Sequence, residues 1–343
     1  MILKSGSTAA AIAIALFSVA SLPAIAQESE SAACGTDRTI DIAEMTWPSA
    51  AALAHIHATI LGQGFGCNVE IVTGDTVPTS SSMMARGTPA VAPELWTSAI
   101  EQPWNEALKA GTVVQLADAI TDGTIEGWFI PRYVQDANPE LTTVADVVSR
   151  PDLFADPEEP GKGRLYSCPP GWACELSTSA LFEAHGMAEK GWNLFSPGSG
   201  GALDASISRA FLREEGILFY YWGPTAILGK FDAVQIDLGE PNQEIYACNT
   251  DPACDEPAGK TAYPSSPAVV AAAAWLSDEA PAVAEYFSKV GLTNAEISEL
   301  LVYGDENMAD AAATAEHFLK TKPELWTSWV PAEVAEKVKA SLS

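Results

Sequence analysis

Tryptophan is the residue type whose placement in this sequence points most directly to chemistry. Five of the ten tryptophans fall at the ends of predicted strands or in loops that adjoin them. An indole face attracts cations, at about 0.5 to 2 kcal/mol per contact when water is excluded. Several such faces around one point form a cage for a quaternary ammonium group, whose nitrogen has no N–H to offer a hydrogen-bonding side chain. The five candidate cage residues are Trp47, Trp96, Trp128, Trp172 and Trp222.

For any single one of these tryptophans, the alternative is that the ring fills a local core. We expect that role for four tryptophans of predicted helical and tail segments, which are Trp192, Trp275, Trp326 and Trp329. The cage is favoured for the other five because they all occur at predicted strand ends or turns, where a large ring is a poor choice unless its face is used.

Signals for catalysis are weak. The sequence contains no GxSxG, HExxH, phosphate loop with GK[ST], or GxGxxG after a strand. The turn at 198–201 is rich in glycine and could hold an anion, but a plain turn is the simpler interpretation. His55 and His57 lie two apart, so on a helix they would point to different faces and form no metal pair. An exported hydrolase using cleft carboxylates is the alternative of a different class, but no nucleophile–base pair can be assembled for it.

The six cysteines form an even set, and their spacing suggests how they pair. The Cys168–Cys174 pair encloses a Pro-Pro-Gly turn, and the Cys248–Cys254 pair encloses another short loop. The Cys34–Cys67 pair then remains. An even count in an exported chain favours disulfides. Zinc is the competing interpretation, but it usually needs closely spaced cysteine pairs or nearby histidines, and the four histidines are scattered.

The segment 248–257 gathers oxygen ligands within a few residues. It carries the side chains of Asn249, Asp251, Asp255 and Glu256, together with backbone carbonyls. These hard donors suit calcium rather than zinc, although the segment lacks the EF-hand pattern. We therefore predict a possible structural calcium site, with a disulfide-bonded acidic surface loop as the alternative. No other cofactor is expected.

Alternating elements would position these residues. A β-α-β-α-β order indicates a parallel sheet flanked by helices, with ligands bound in the loops at the carboxyl ends of the strands. The same pattern restarts near residue 163, and the chain from 262 onward reads as mostly helical. The predicted strands are 39–44, 68–73, 90–96, 163–166 and 217–221, and the predicted helices are 49–62, 78–86, 174–185 and 201–214.

Residues 1–26 have the features of a secretory signal peptide. Lys4 supplies the positive region, an apolar run follows, and residues 24–26 (Ala-Ile-Ala) form a small-x-small cleavage site. No second stretch is long and apolar enough for a transmembrane helix. The chain carries 45 acidic and 18 basic residues, a net charge of −27. This balance argues against nucleic acid and anionic membranes as partners, because both require clustered cations.

Four short motifs carry a family resemblance. They are Ser167–Glu175 (SCPPGWACE), Phe219–Pro224 (FYYWGP), Glu94–Trp96 (ELW) and Gly127–Pro131 (GWFIP). They resemble, in that order, the disulfide-bounded NPGWGCE-type loop, the FYY-(x)-W-x-P segment, the third-strand tryptophan and the crossover of glycine betaine/proline betaine-binding proteins. Those proteins are substrate-binding subunits of ABC importers. The resemblance covers most of residues 38–330, and the tryptophan-containing loop is its most specific part.

The resemblance implies an α/β fold of the two-lobed, clam-shell (type II-like) periplasmic kind, each lobe a mainly parallel sheet flanked by helices. Lobe 1 would comprise 35–128 plus 235–343, and lobe 2 would comprise 129–234. Backbone N–H groups near Ala173 and Cys174 would meet the anionic end of the ligand. The cage implied by position consists of Trp96, Trp172 and Trp222, with Trp128 and Trp47 as further walls.

One departure from the family bears on the ligand. Some members place a histidine four residues after the third-strand tryptophan to hold a carboxylate, and here that position is Ile100. Glu94 and Glu126 instead lie two residues before Trp96 and Trp128, a spacing that shares a strand face. An ionised glutamate repels a carboxylate but suits choline. A glutamate protonated through burial suits trimethylamine N-oxide.

We therefore predict a periplasmic substrate-binding protein, not an enzyme, that favours trimethylamine N-oxide. Glycine betaine, proline betaine and choline are the alternative ligands of the same site. Glu126 is preferred to Glu94 as the residue facing the ligand, because it lies at the predicted crossover between lobes. The expected partners are the permease and ATPase subunits of an ABC importer in the inner membrane, and we expect a monomer.

Overall fold

The computed structural model describes residues 1–2, 33–251 and 253–343. All but the first two residues of the predicted signal peptide therefore lie outside the described residues. The elements described below belong to one unit, Ala32–Ser343. No helix among the described residues has the length and apolar character needed to cross a membrane.

Lobe 1 is built on a five-stranded sheet in the order β2-β1-β3-β10-β4. Its strands are short, and every residue of β3 and β10 is buried. The alanines of β10 leave room for helices to lie close on both faces of the sheet. The strands of lobe 1 are β1 Ile40–Met45, β2 Val69–Gly74, β3 Val91–Trp96, β4 Val113–Asp118 and β10 Ala268–Ala273.

The helices of lobe 1 begin at recognisable signals. Pro48 fixes the first turn of the helix after β1, and the Thr293–Glu296 capping box begins another. A short π-helix at Ile60–Phe65 ends the first helix, and a 3₁₀ turn at Ser98–Ile100 follows β3. The helices are α1 Pro48–Thr59, α2 Thr76–Arg86, α3 Glu101–Ala110, α10 Trp275–Glu279, α11 Pro281–Phe287, α12 Asn294–Asn307, α13 Ala311–Thr321, α14 Pro323–Trp326 and α15 Ala332–Ser341.

Lobe 2 is built on a second five-stranded sheet, in the order β7-β6-β8-β5-β9. Its strands are β5 Ile125–Pro131, β6 Gly163–Tyr166, β7 Trp192–Phe195, β8 Leu218–Gly223 and β9 Ala233–Gln235. The helices between β5 and the return to lobe 1 are α4 Arg132–Ala137, α5 Val144–Val148, α6 Ala173–Ala184, α7 Gly200–Leu212, α8 Ala226–Lys230 and α9 Gln243–Thr250. Two 3₁₀ turns lie at Pro151–Phe154 and Ala188–Lys190.

Both sheets are mixed. β1 runs parallel to β2 and β3, and β6 runs parallel to β7 and β8. β10 is antiparallel to β3 and β4, and β5 is antiparallel to β8 and β9. The antiparallel strands β5 and β10 are those that the chain forms on entering the other lobe.

The structure differs from the sequence-based expectations at two segments where the chain passes between the lobes. The expected division at 128/129 falls inside β5, which lies wholly in the second sheet. The second segment is β10, which lies in the region from 262 onward, where the sequence predicts mostly helix. Alanine is a strong helix former, and β10 is mostly alanine, so the local sequence favours a helix. Of the tryptophans expected in a core, Trp192, Trp326 and Trp329 are buried there.

Candidate functional site

A small aromatic cavity lies between the two sheets. Its volume, counted as the space that the centre of a water-sized sphere can reach, is about 30 Å³. By the same measure, about 10 to 15 Å³ holds one water molecule. The cavity therefore suits a ligand of a few non-hydrogen atoms. Its lining residues are Trp47, Thr76, Trp96, Ser98, Glu126, Trp172, Ala173, Cys174, Tyr220, Trp222 and Ser266.

Each lobe contributes two indoles to this cavity. Trp47 joins β1 to α1, and Trp96 is the last residue of β3, so both belong to lobe 1. Trp172 immediately precedes α6, and Trp222 lies in β8, so both belong to lobe 2. The Trp47 and Trp172 rings meet edge to face with centroids 5.3 Å apart, and the Trp172 and Trp222 rings do so at 5.1 Å. The aromatic wall is therefore complete only when the lobes are together.

Glu94 holds the two indoles of lobe 1 from behind. Its Oε1 accepts hydrogen bonds from the indole N–H of Trp47 at 2.7 Å, from that of Trp96 at 2.9 Å and from the Ser49 hydroxyl at 3.0 Å. The side chain is fully buried, and Glu94 is not among the residues that line the cavity. Burial raises the pKa of Glu94, while the hydrogen bonds from Trp96, Trp47 and Ser49 oppose that shift. Its observed contacts are those of a residue that orients rings.

Glu126 is the carboxyl group that lines the cavity. Its Oε1 accepts a hydrogen bond from the Tyr220 hydroxyl at 2.7 Å, and its Oε2 is buried with no protein hydrogen-bond partner. Burial raises the pKa of Glu126 to about 7, although the Tyr220 hydrogen bond acts in the opposite direction. Near neutral pH this group can therefore either donate a proton or carry a negative charge.

Ala173 and Cys174 also line the cavity, as the first two residues of α6. No side chain caps this helix end, and the first N–H groups of a helix have no partner within the helix. The N-terminal end of α6 therefore favours negative charge, such as that on a ligand oxygen. The Cys168–Cys174 disulfide ties the preceding turn to the same helix end.

Basic side chains are missing from the cavity wall that the described residues form. Ile100 is buried in the 3₁₀ turn after β3 and is not a lining residue. Arg132 is half-exposed and paired with Asp232 at 3.2 Å. A ligand carboxylate could therefore interact with the N-terminal end of α6, but no cationic side chain among the lining residues would pair with it.

Trp128 lies one layer deeper than the other four candidates. Its ring is fully buried and its indole N–H donates to the Tyr263 hydroxyl at 3.0 Å. The Tyr263 hydroxyl also pairs with the Thr178 hydroxyl at 2.9 Å. Trp128 shares a face of β5 with Glu126 but is not among the lining residues. It supports the cavity from within lobe 2.

Four lining residues were not identified from the sequence, namely Tyr220, Thr76, Ser98 and Ser266. Tyr220 could have been found, because it lies two residues before Trp222 on β8 and the spacing shares a strand face. The other three lie in loops or at helix starts, where no periodicity identifies them.

A wider cleft of about 600 Å³ shares Trp47 and Trp222 with the small cavity. Its remaining lining is mostly polar or aliphatic, and it includes Asp204, Lys230 and Asp305. Lys230 and Asp305 form an exposed ion pair across it at 3.6 Å. This cleft is too wide to surround a small ammonium group with aromatic faces, so the small cavity is the candidate ligand site.

The three expected disulfides are confirmed, and they connect Cys34 to Cys67, Cys168 to Cys174 and Cys248 to Cys254. No cysteine among the described residues is free, so none is available to zinc.

The predicted calcium ligands of the segment 248–257 make the following contacts among the described residues. The Asn249 side chain exchanges two hydrogen bonds with the Gly259 backbone, both at 2.8 Å. Asp251 accepts from the Ala253 N–H at 2.8 Å, and Asp255 and Glu256 are exposed. Within 33–251 and 253–343, no group of three or more His, Cys, Asp or Glu side chains is placed to hold a metal ion.

A comparison with protein families matches residues 38–321 to the substrate-binding domain of ABC-type glycine betaine transport systems. Among solved structures, a choline-binding protein of an ABC transporter in complex with choline is 18% identical, with a TM-score of 0.69, covering 90% of this chain and 99% of that one. A glycine betaine/L-proline-binding protein from Borrelia burgdorferi is also 18% identical, with a TM-score of 0.67 and coverage of 88% and 100%. Lactococcal OpuAC, closed on glycine betaine, is 15% identical, with a TM-score of 0.64 and coverage of 86% and 100%. At these identities the likeness shows the two-lobed fold.

Proposed function

Because the chain belongs to the family of substrate-binding domains of ABC-type glycine betaine transport systems, we propose that its small cavity captures trimethylamine N-oxide. The relatives are transport proteins, and the proposal accordingly assigns binding and delivery rather than catalysis. The protein would act outside the cytoplasmic membrane after cleavage of the signal peptide, as a monomer, and would deliver its ligand to a permease driven by an ATPase.

The observation that carries the proposal is the combination of indoles with one carboxyl group. Trp47, Trp96, Trp172 and Trp222 line a cavity that Glu126 also lines, and the Oε2 of Glu126 is buried without a hydrogen-bond partner. The indole faces suit the three methyl groups around a positive nitrogen. A protonated Glu126 suits the N-oxide oxygen, to which its Oε2–H would donate. The raised pKa of Glu126 makes that protonated form accessible near neutral pH.

Trimethylamine N-oxide is the smallest of the four candidate ligands, with one nitrogen, one oxygen and three methyl groups, and the cavity is small. The N-terminal end of α6, at Ala173 and Cys174, would further stabilise the oxygen. The family resemblance likewise implies that backbone N–H groups near Ala173 and Cys174 meet the anionic end of the ligand.

The alternative ligands each meet a specific difficulty at this site. Glycine betaine and proline betaine carry a carboxylate, which an ionised Glu126 would repel and which no basic lining residue would attract. Choline carries a positive charge and a hydroxyl but no negative charge, so it would bind best when Glu126 is ionised. Choline is the stronger alternative, because burial raises the pKa of Glu126 only to about 7.

Lobe closure would couple binding to transport. Each lobe supplies two of the four indoles, so a ligand contacts all of them only in the closed form. The ligand then stabilises the closed form by its higher affinity for that form, which is a population shift. The permease would recognise the closed protein and accept the ligand from it.

Isothermal titration calorimetry with trimethylamine N-oxide, choline, glycine betaine and proline betaine tests the proposal. We expect trimethylamine N-oxide to bind most tightly at pH 6.5, with a change in tryptophan emission and no new product in the ligand spectrum. Tighter binding of glycine betaine would refute the assignment of the ligand. Formation of a product would favour the exported hydrolase instead.

A further inference from the structure

The hydroxyl of Thr46 connects the two lobes at the edge of the cavity. Its Oγ1 accepts a hydrogen bond from the indole N–H of Trp172 at 2.8 Å. The same hydroxyl donates its own proton to the carboxylate of Asp75. Thr46 and Asp75 belong to lobe 1, and Trp172 belongs to lobe 2. One hydroxyl therefore joins an indole of one lobe to a carboxylate of the other.

A backbone hydrogen bond crosses between the lobes beside this hydroxyl. The N–H of Val77, in the first turn of α2, donates to the carbonyl of Gly171 at 3.2 Å. Asp75 occupies the N-cap position of α2, but its side chain makes no cap hydrogen bond and instead accepts from Thr46. A helix start normally needs such a partner. Lobe 2 thus supplies a cap that α2 lacks on its own.

Two glycines of lobe 2 lie at this approach. Gly171 has φ +91°, and a Cβ there would lie 3.4 Å from the Asp75 side chain. Gly200 is packed more tightly, since a Cβ there would lie 3.0 Å from the Trp172 ring and 3.4 Å from the Thr46 carbonyl oxygen. Two glycines of lobe 2 therefore let Trp172 and its turn reach lobe 1.

We propose that Thr46 is a positioning residue that latches the closed form by holding Trp172 through its indole N–H. The inference rests on the proposed function of the cavity, because the latched ring is one of its four indole walls. Thr46 touches no ligand-facing surface of the cavity and is not one of its lining residues. It acts on the ligand only through Trp172, and it slows reopening of the lobes.

Thr46→Val tests the latch, because valine keeps the branched shape and removes both hydrogen bonds. Thr46 is exposed at the rim of the wider cleft, so the substitution leaves the core untouched. We expect the affinity for trimethylamine N-oxide to fall by about three- to tenfold through faster dissociation, with an unchanged association rate. Thr46→Ser restores the hydroxyl and should restore the dissociation rate to within about twofold. Thr321→Val, on the exposed end of α13, is the matched control and should behave as the unmodified protein.

Stopped-flow fluorescence gives both rates, and small-angle scattering of the ligand-free protein gives a second readout. We expect Thr46→Val to increase the radius of gyration, because the open form gains population. An unchanged dissociation rate with an unchanged radius would overturn the latch, as would a serine variant as defective as the valine variant. If the unmodified protein binds none of the four amines, the proposed function fails, and the scattering comparison alone then decides whether Thr46 holds the lobes together.

Discussion

The indole rings of Trp47 and Trp172 belong to different lobes and meet edge to face, with their centroids 5.3 Å apart. This contact closes one corner of the cavity, and the Thr46 hydroxyl next to Trp47 bonds the N–H of the Trp172 ring. The hydrogen bond to the indole N–H and the contacts with the Trp47 and Trp222 rings fix the orientation of the Trp172 ring. The contact therefore defines where a cationic group can be enclosed, and it makes Trp172 the first residue to test.

Trp172→Ala should weaken binding of trimethylamine N-oxide at least about tenfold, because it removes one cation–π face and opens the cavity to water. The far-ultraviolet circular dichroism spectrum should be unchanged. Trp275→Ala is the matched control, since Trp275 packs under Arg38 and donates to the Gly87 carbonyl, away from the cavity. Calorimetry of both variants gives the comparison. A Trp172→Ala protein that binds as tightly as the control would remove the cage.

The two leading ligands should respond to pH in opposite directions. Burial raises the pKa of Glu126 to about 7, so the group is protonated below that pH and ionised above it. Trimethylamine N-oxide needs the protonated form, and its affinity should fall by up to about tenfold per pH unit above pH 7. Choline prefers the ionised form, and its affinity should rise over the same range.

Titrations of the unmodified protein and of Glu126→Gln at pH 6, 7 and 8 check this expectation. Glutamine cannot ionise but can still donate to the N-oxide oxygen, so it should retain binding of trimethylamine N-oxide and abolish its pH dependence. A pH dependence that survives in Glu126→Gln would assign the titration to another group.

Removing the Glu94 carboxylate should disorder two indoles at once. Glu94→Ala leaves the buried donors of Trp47, Trp96 and Ser49 without an acceptor, at about 1 to 3 kcal/mol of folding free energy for each. We expect a lower melting temperature and weaker ligand binding. Glu94→Gln keeps a carbonyl acceptor and should retain more of both. Glu316→Ala, which breaks only an exposed ion pair with Lys320, serves as the control. If Glu94→Ala binds normally, the rings do not need this carboxylate.

The calcium prediction for the segment 248–257 is tested by chelation. Because the Asn249 amide is already bonded to the Gly259 backbone, we expect EDTA to leave the melting temperature unchanged. The matched sample is the same protein with calcium in excess. A melting temperature that falls in EDTA and recovers with calcium would establish the site after a rearrangement of the loop.

The first lobe shows how far local sequence patterns extend. The sequence predicts strands at 39–44 and 90–96, and the structure has strands at 40–45 and 91–96. Such patterns reflect burial of one or both faces of a strand, which neighbouring residues encode. The pairing of Cys34 with Cys67 was also predictable, because the other two short spacings left no other choice.

The roles of Glu94 and Trp128 could not be read from spacing. Strand alternation placed Glu94 on the same face as Trp96, but its orientation depends on Trp47, which is distant in sequence and adjacent only in the fold. Trp128 shares a face of β5 with Glu126, yet it lies two residues further along the strand, opposite Tyr220 rather than Trp222, and its ring does not line the cavity. Strand alternation identifies the face of a strand on which a side chain lies. It carries no information on whether that side chain reaches the cavity.

The position of β10 sets the order in which this protein can fold. β10 lies between β3 and β4, so the sheet of lobe 1 has a gap until residues 268–273 are available. A chain delivered N-terminus first presents all of the second sheet, which ends at Gln235, before that strand arrives. The second sheet can therefore form on its own while the first remains in two pieces with unpaired edges. If the chain emerged only as far as a point before residue 273, the unpaired strand edges of the first sheet would be exposed to aggregation. A chaperone that covers these edges would then raise the yield of folded protein.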